Sequence, residues 1–232
     1  MKQPKLELLS PAGSWEALEA AVRSGADAVY LGGSLFSARA NAQNFDHDTL
    51  KQAVAYCHAR GVKVHLAVNT ILLNHEIEPA LDFVAFACTL PVDAVIVQDT
   101  GLLHLLRQAA PTLQIHASTQ MSVHTPEGAK LLAEQGVSRV VLARELSLKE
   151  IKEISRVLKD GGFAHVEIEH FVHGALCMSV SGQCYFSSLL GSRSGNRGQC
   201  AQTCRLPFSA KVSLWRTPNR CCSSVITSAR FE

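Results

Sequence analysis

Runs of apolar, β-prone residues recur at short intervals along the chain: residues 6–10, 27–33, 62–70, 93–99, 113–120, 139–145 and 165–171. Between them lie segments such as SWEALEAAVRSG, DTLKQAVAYCHARG, TPEGAKLLAEQG and SLKEIKEISRVLKDGG, whose apolar residues recur three and four positions apart. That period is the mark of an amphipathic helix. Each of these helices opens on a residue whose side-chain oxygen can accept from a first-turn N–H (Ser14, Asp48, Thr125 and Ser147), and most close on glycine (Gly25, Gly61, Gly136 and Gly161). The strand runs are almost continuously apolar, so both faces must be covered. Parallel strands joined by crossover helices meet that demand. Seven units predict an α/β fold, a (β/α)8-type parallel barrel lacking its eighth strand, with its body at residues 1–169.

The pattern stops near Phe208. The last stretch, SAKVSLWRTPNRCCSSVITSARFE, shows neither alternation nor helical period. A barrel needs an eighth strand to pair its first and seventh and remove the open edges. The expectation is therefore an incomplete, inactive copy, with an atypical tail over residues 209–232 of the kind a frameshift or early stop near residue 209 would leave. Residues 170–208 lie between body and tail as a glycine- and cysteine-rich loop after the seventh strand.

Composition narrows the class. With 232 residues, 47% hydrophobic and 18% charged, the chain suits one sizeable core, and neither disorder nor a collagenous repeat fits. The N-terminal lysines are followed by no unbroken apolar segment, and no apolar run is long enough to cross a bilayer. A cytoplasmic address without membrane attachment is expected, and in a reducing compartment clustered cysteines point to metal binding or catalysis before disulfides. The net charge of +2 conceals an asymmetry: residues 1–169 hold 15 Lys/Arg against 19 Asp/Glu, whereas residues 170–232 hold 7 against 1. Arg193, Arg197 and Arg205 within that basic quarter suit contact with phosphate.

Active sites of such barrels lie at the C-terminal ends of the strands. Here those ends are polar: Asn69, Gln98, Asp99, His116, Ser118, Gln120, Arg144, Glu145, Glu167, Glu169 and His173, with Arg39, Asn41 and Asn44 after the second strand. Several short motifs are excluded. One DTG, at Asp99, cannot make the paired carboxylates of an aspartic protease, and Asp99 reads as a helix cap. HEIEP at His75 has Pro79 where a zinc protease needs its second histidine, and Gly32–Gly33 lacks the rest of a dinucleotide fingerprint. Cys57 and Cys88 fall inside helical patterns and read as inert core thiols.

Cys177, Cys184, Cys200 and Cys204 are separated by six, fifteen and three residues. Thiolates in a glycine-rich loop can ligate an iron–sulfur cluster or zinc, and spacing alone leaves both open beside idle thiols. The C-x3-C-x2-C set of radical enzymes fails, because Pro207 stands at its third position.

The residues Glu169, Phe171, Gly174, Ala175, Leu176, Cys177, Gly182, Cys184, Phe186 and Ser187, continued by NRGQCAQTCR at 196–205, closely resemble the signature of the collagenase-like peptidases, a family of unknown catalytic type. Phe186 departs from it, since the pattern usually has an aliphatic residue there. LLSPAGSWEALEAAVRSGADAVYLGG and ARANAQNF resemble that family's N-terminal region, so the likeness spans roughly residues 6–210. The resemblance implies a barrel enzyme. Members include hydroxylases of RNA bases, some prephenate-linked, and a quinone-precursor hydroxylase, carrying iron–sulfur clusters on cysteines of this region. It implies Cys177, Cys184 and Cys200 as ligands of a 4Fe-4S cluster, with zinc the lesser choice, and with Cys204 the nearest local fourth thiol although relatives place theirs further downstream. Glu169 and His173 would then transfer protons, while Arg39, Asn41, Asn69, His116, Gln120 and Arg144 would bind substrate, an arginine holding a phosphate or the carboxylate of prephenate as oxygen donor. The expected partner is transfer or ribosomal RNA. The alternatives are a collagenase-like protease and a metal-stabilised RNA-binding module without chemistry.

Overall fold

The computed structural model describes residues 6–38, 42–174 and 177–208. Seven strands alternate with helices in chain order: β1 (Leu9–Pro11), α1 (Trp15–Arg23), β2 (Ala28–Gly32), α2 (His47–His58), β3 (Lys63–Val68), α3 (Ile77–Thr89), β4 (Ala94–Val97), α4 (Thr100–Ala109), β5 (Ile115–Ala117), α5 (Pro126–Glu134), β6 (Arg139–Val141), α6 (Leu148–Asp160) and β7 (Glu167–Glu169). All pair in parallel with their sequence neighbours in the order β1 to β7. This is the seven-stranded barrel that the alternation predicts, and among the described residues β1 and β7 do not pair with each other. The sheet is nevertheless curled, because Glu7, just before β1, reaches across to Arg139 of β6 at 2.8 Å and Lys63 of β3 at 2.7 Å.

Helix starts follow their capping chemistry. Ser14 Oγ accepts from Ala17 N, Thr125 Oγ1 from Gly128 N, and Ser147 forms a capping box with Glu150. Asp99 accepts from Leu102 N at 2.9 Å and is the cap of α4. The cap of α2 is Asp46, which accepts from Thr49 N, and Asp48 lies within the first turn. After α6 the left-handed position belongs to Gly162, with φ 85°, one residue beyond the expected Gly161. Cys57 is a buried core thiol, whereas Cys88 is exposed on α3, so the expectation of two core thiols holds for one of them.

Paired residues on adjacent parallel strands point to the same face, so the register separates the two sides of the sheet. Val29, Leu31, Val64, Leu66, Val68, Val95, Val97, Ile115, Ala117, Val140 and Leu142 alternate with the inward set, and all belong to the one large hydrophobic cluster beneath the helices. The inward set differs. It contains Ala28, Ala67, Ala94 and Ile96, together with His65, His116, Arg139, Glu167 and Glu169. Barrel interiors are ordinarily filled with bulky aliphatic side chains. Beside Leu9, Tyr30, Ile96 and Val141, this one is built of small residues, imidazoles and an ion network.

Candidate functional site at the barrel mouth and lumen

The loops after the strands form the mouth. Asn69, after β3, accepts from Ala38 N at 3.0 Å and donates to Ser118 Oγ at 3.5 Å, tying the β2, β3 and β5 ends together. Ser118 is 1% exposed and also accepts from Gln120 N, which starts a short 3-10 turn at Thr119–Met121. Gln98, 8% exposed after β4, has no hydrogen-bond partner for Oε1 among the described residues. Phe36 and Asn44 adopt left-handed φ angles of 61° and 53° in the segment after β2, the kind of backbone strain that clusters at working sites. A cleft of about 130 Å³ lies there, lined by Phe36, Ser37, Asn44, Thr70, Glu76 and Arg197. Arg39 and Asn41 fall outside the described residues.

The Cys-rich loop is seated on this mouth at two points. The first is Ser181, fully buried: its N–H and hydroxyl donate to Glu145 Oε1 at 2.7 and 3.1 Å, its carbonyl accepts from Ser122 Oγ at 2.5 Å, and its Oγ accepts from Arg144 N and Nε. Beside it, Gly182 has φ 76°, and a Cβ there would lie 2.2 Å from the Gln120 carbonyl oxygen. Only glycine allows that approach. Glu145 also faces His124 at 3.4 Å, and its carboxyl is held below the usual range: burial opposes this, but its own backbone N–H, the N–H and hydroxyl donors of Ser181 and the nearby imidazole outweigh it.

The second point is Arg197. Its guanidinium donates to both Glu76 carboxylate oxygens, at 2.8 and 2.5 Å, and to the Ile71 carbonyl at 2.6 Å. Glu76 lies in a 3-10 turn over Asn74–Glu76 that leads into α3, with Pro79 in the first turn of that helix. The Arg197 hydrogen bonds hold its carboxyl down at about 2. Arg197 is thus engaged inside the molecule, and the expectation that it meets phosphate is corrected: a bidentate internal carboxylate already occupies the fork. Arg193 and Arg205 have no ion pair among the described residues and are exposed.

The four loop thiols are free. Cys177, Cys200 and Cys204 are exposed and Cys184 is half-buried. A short helix, α7 (Phe186–Gly191), follows Cys184, and Ser187 at its start donates to Cys200 Sγ at 3.9 Å while accepting from Ala201 N at 3.1 Å. A Cβ on Gly195 would stand 3.7 Å from Cys200 Cβ and 3.9 Å from the Cys184 carbonyl. The Cys184 and Cys200 segments therefore converge around that glycine. His173 is exposed near the loop's start.

Glu169 and His116 lie inside the barrel. Arg139, its side chain 8% exposed, donates to Glu169 at 3.1 Å and to Glu167, and pairs with Glu7 at 2.8 Å. Burial raises the Glu169 carboxyl above the ordinary value against the pull of Arg139. Burial also pushes His65 down to about 4 and His116 to about 2, so both rings are neutral. Their centroids stand 4.7 Å apart, edge to face. Glu167 sits at the first position of β7, level with the first residue of β6, and so at the opposite end of the strand from the expected one. His65, Arg139 and Glu7 were not singled out from sequence. The available signal was parity: an imidazole inside an apolar strand, at an inward position, in both VKVHLAV and LQIHAST.

No helix among the described residues is long and apolar enough to cross a membrane. Comparison with known proteins gives four findings. The 23S rRNA 5-hydroxycytidine C2501 synthase of Escherichia coli (strain K12) is 44% identical over 89% of this chain and 30% of its own length. The tRNA hydroxylation protein P1 of Bacillus subtilis (strain 168) is 37% identical over 88% of this chain and 47% of its own. The chain thus spans less than half the length of either relative. The solved structure of the U32 peptidase Mk0906 superposes with a TM-score of 0.57 at 20% identity, covering 73% of this chain and 69% of that one, which shows the shared fold. The sequence pattern of peptidase family U32 matches over residues 13–224, beyond the Phe208 at which the periodicity fades. By that match and by these relatives, the chain belongs to peptidase family U32.

Proposed function

We propose that this chain supplies the barrel and thiol loop of an RNA base hydroxylase acting on transfer or ribosomal RNA. The observation that carries the reading is the seating of the loop that bears four free thiols on the C-terminal ends of the strands, through Ser181, Gly182 and Arg197. The names of the two relatives, one for 23S rRNA and one for tRNA hydroxylation, support the substrate class.

The donor chemistry suits an iron–sulfur cluster: the thiols are unbridged and lie outside the core, and the segments carrying Cys184 and Cys200 meet around Gly195, although among the described residues no three thiols stand close enough to share one ion. Cys177, Cys184 and Cys200 would hold it, with Cys204 the nearest fourth thiol. A bound 4Fe-4S cluster supplies one-electron transfer. The chain's own groups do the rest. Arg144 is fixed through Nε by Ser181, leaving its terminal nitrogens for a phosphate or the carboxylate of an oxygen donor such as prephenate. Gln120 presents an amide at the same rim. Glu169 holds its proton to higher pH than an exposed carboxyl does, and His173 offers a second proton carrier at the mouth.

The test is the mass of RNA bases from cells with and without the encoding gene, and with Cys177, Cys184 and Cys200 all changed to alanine. One added oxygen that requires both gene and cysteines is expected. Unchanged RNA, together with gelatin cleavage by the purified protein, would instead establish the protease reading.

A further inference from the structure

The barrel lumen contains a second constellation, separate from the thiol loop. His65 of β3, His116 of β5 and Glu169 of β7 come from alternate strands, which is how one layer of a barrel interior is built. Each offers one ligand-capable atom, and these atoms lie within 4.8 Å of one another. His65 and His116 are 2% and 5% exposed, and Nδ1 of both rings is buried without a hydrogen-bond partner among the described residues. Two unsatisfied buried imidazole nitrogens in one layer are costly unless something accepts their lone pairs or protons.

We propose that His65, His116 and Glu169 bind a divalent first-row transition-metal ion inside the barrel. Two imidazole nitrogens and one carboxylate form the donor set of open-sited zinc centres and of non-haem Fe(II) centres alike. Donor atoms around such an ion stand about 3–3.5 Å apart, so the three groups close by about an ångström on binding. Glu169 is already oriented: one oxygen, Oε2, accepts from Arg139 and leaves Oε1 for the metal. Charge agrees with the assignment. Glu7, Glu167 and Glu169 face Lys63 and Arg139, three acidic side chains against two basic ones.

The experiment uses the full chain with Cys177, Cys184, Cys200 and Cys204 all changed to serine, so that thiolates cannot contribute. After chelator treatment it is titrated with Zn2+, with Co2+ and, without oxygen, with Fe2+. One equivalent should bind, and the Co2+ form should show visible ligand-field bands without sulfur charge-transfer absorption. His65→Gln, His116→Gln and Glu169→Gln should each weaken binding at least tenfold, with far-UV circular dichroism confirming the fold. If a histidine variant fails to fold, Glu169→Gln decides, since it keeps the side-chain shape. Tighter retention of Zn2+ or of Fe2+ identifies the ion. Absence of stoichiometric binding in the serine background, or binding unchanged by Glu169→Gln, overturns the proposal.

Discussion

Replacing Arg139 with methionine removes the guanidinium that faces Glu7, Glu167 and Glu169 inside the barrel. The three carboxylates do not suffer equally. Glu167 is 62% exposed and solvent screens it, while Glu7 keeps Lys63 at 2.7 Å. Glu169, with 19% side-chain exposure, loses its ionic partner. Breaking a buried pair from one side costs about 3–5 kcal/mol, and partial exposure places this case at about 3. For a chain of this size that lowers Tm by roughly 6–12 °C. The pH dependence gives a sharper signature. Glu169 already has a raised folded-state pKa, and without Arg139 it rises further. An acid with a raised folded pKa costs stability above that pKa and recovers it as pH falls through it. The deficit of Arg139→Met relative to the parent protein should therefore shrink between about pH 7.5 and about pH 5. Urea unfolding followed by circular dichroism at both pH values measures it. A deficit below about 1 kcal/mol, or one that is identical at both pH values, would refute the ion-network account.

Gly182→Ala forces a left-handed backbone on alanine and drives its Cβ against the Gln120 carbonyl, costing at least about 1–2 kcal/mol; limited proteolysis should then cut the Cys-rich loop faster while the barrel survives. Arg197→Ala should return Glu76 from about 2 towards its ordinary 4.5, read by NMR titration. In the parent protein this depressed pKa makes the clamp fully present above the unfolded value and lost as pH falls towards about 2, so loop protection should weaken in acid. Cys57, buried and pushed up to about 11, should resist iodoacetamide in the native protein, whereas exposed Cys88 and Cys177 should react. RNA binding, if carried by Arg193 and Arg205 with Arg197 occupied, should follow a log–log salt slope of about 0.7 per phosphate contact, or about 1.4 for both, on single strands.

What the sequence determined by itself is whatever local chemistry decides. Helical period, apolar strand runs and the caps at Ser14, Asp99, Thr125 and Ser147 act within a few residues, and they sufficed for seven β/α units and a parallel, doubly covered sheet. The cysteine spacing and family signature are likewise local, and they single out residues 170–208 as the expected chemical segment. Tertiary structure decided where partners come from afar. Arg197 looks like a free basic residue until Glu76, 121 residues earlier, takes its fork. Ser181 carries no motif, yet it is the buried peg that fixes the loop to Arg144 and Glu145. His65, His116 and Glu169 lie in three separate strands, and only the curl and stagger of the sheet bring them level. Side-chain parity in each strand says which way a residue points, but the shear between strands, a property of the closed-up sheet as a whole, says which residues meet.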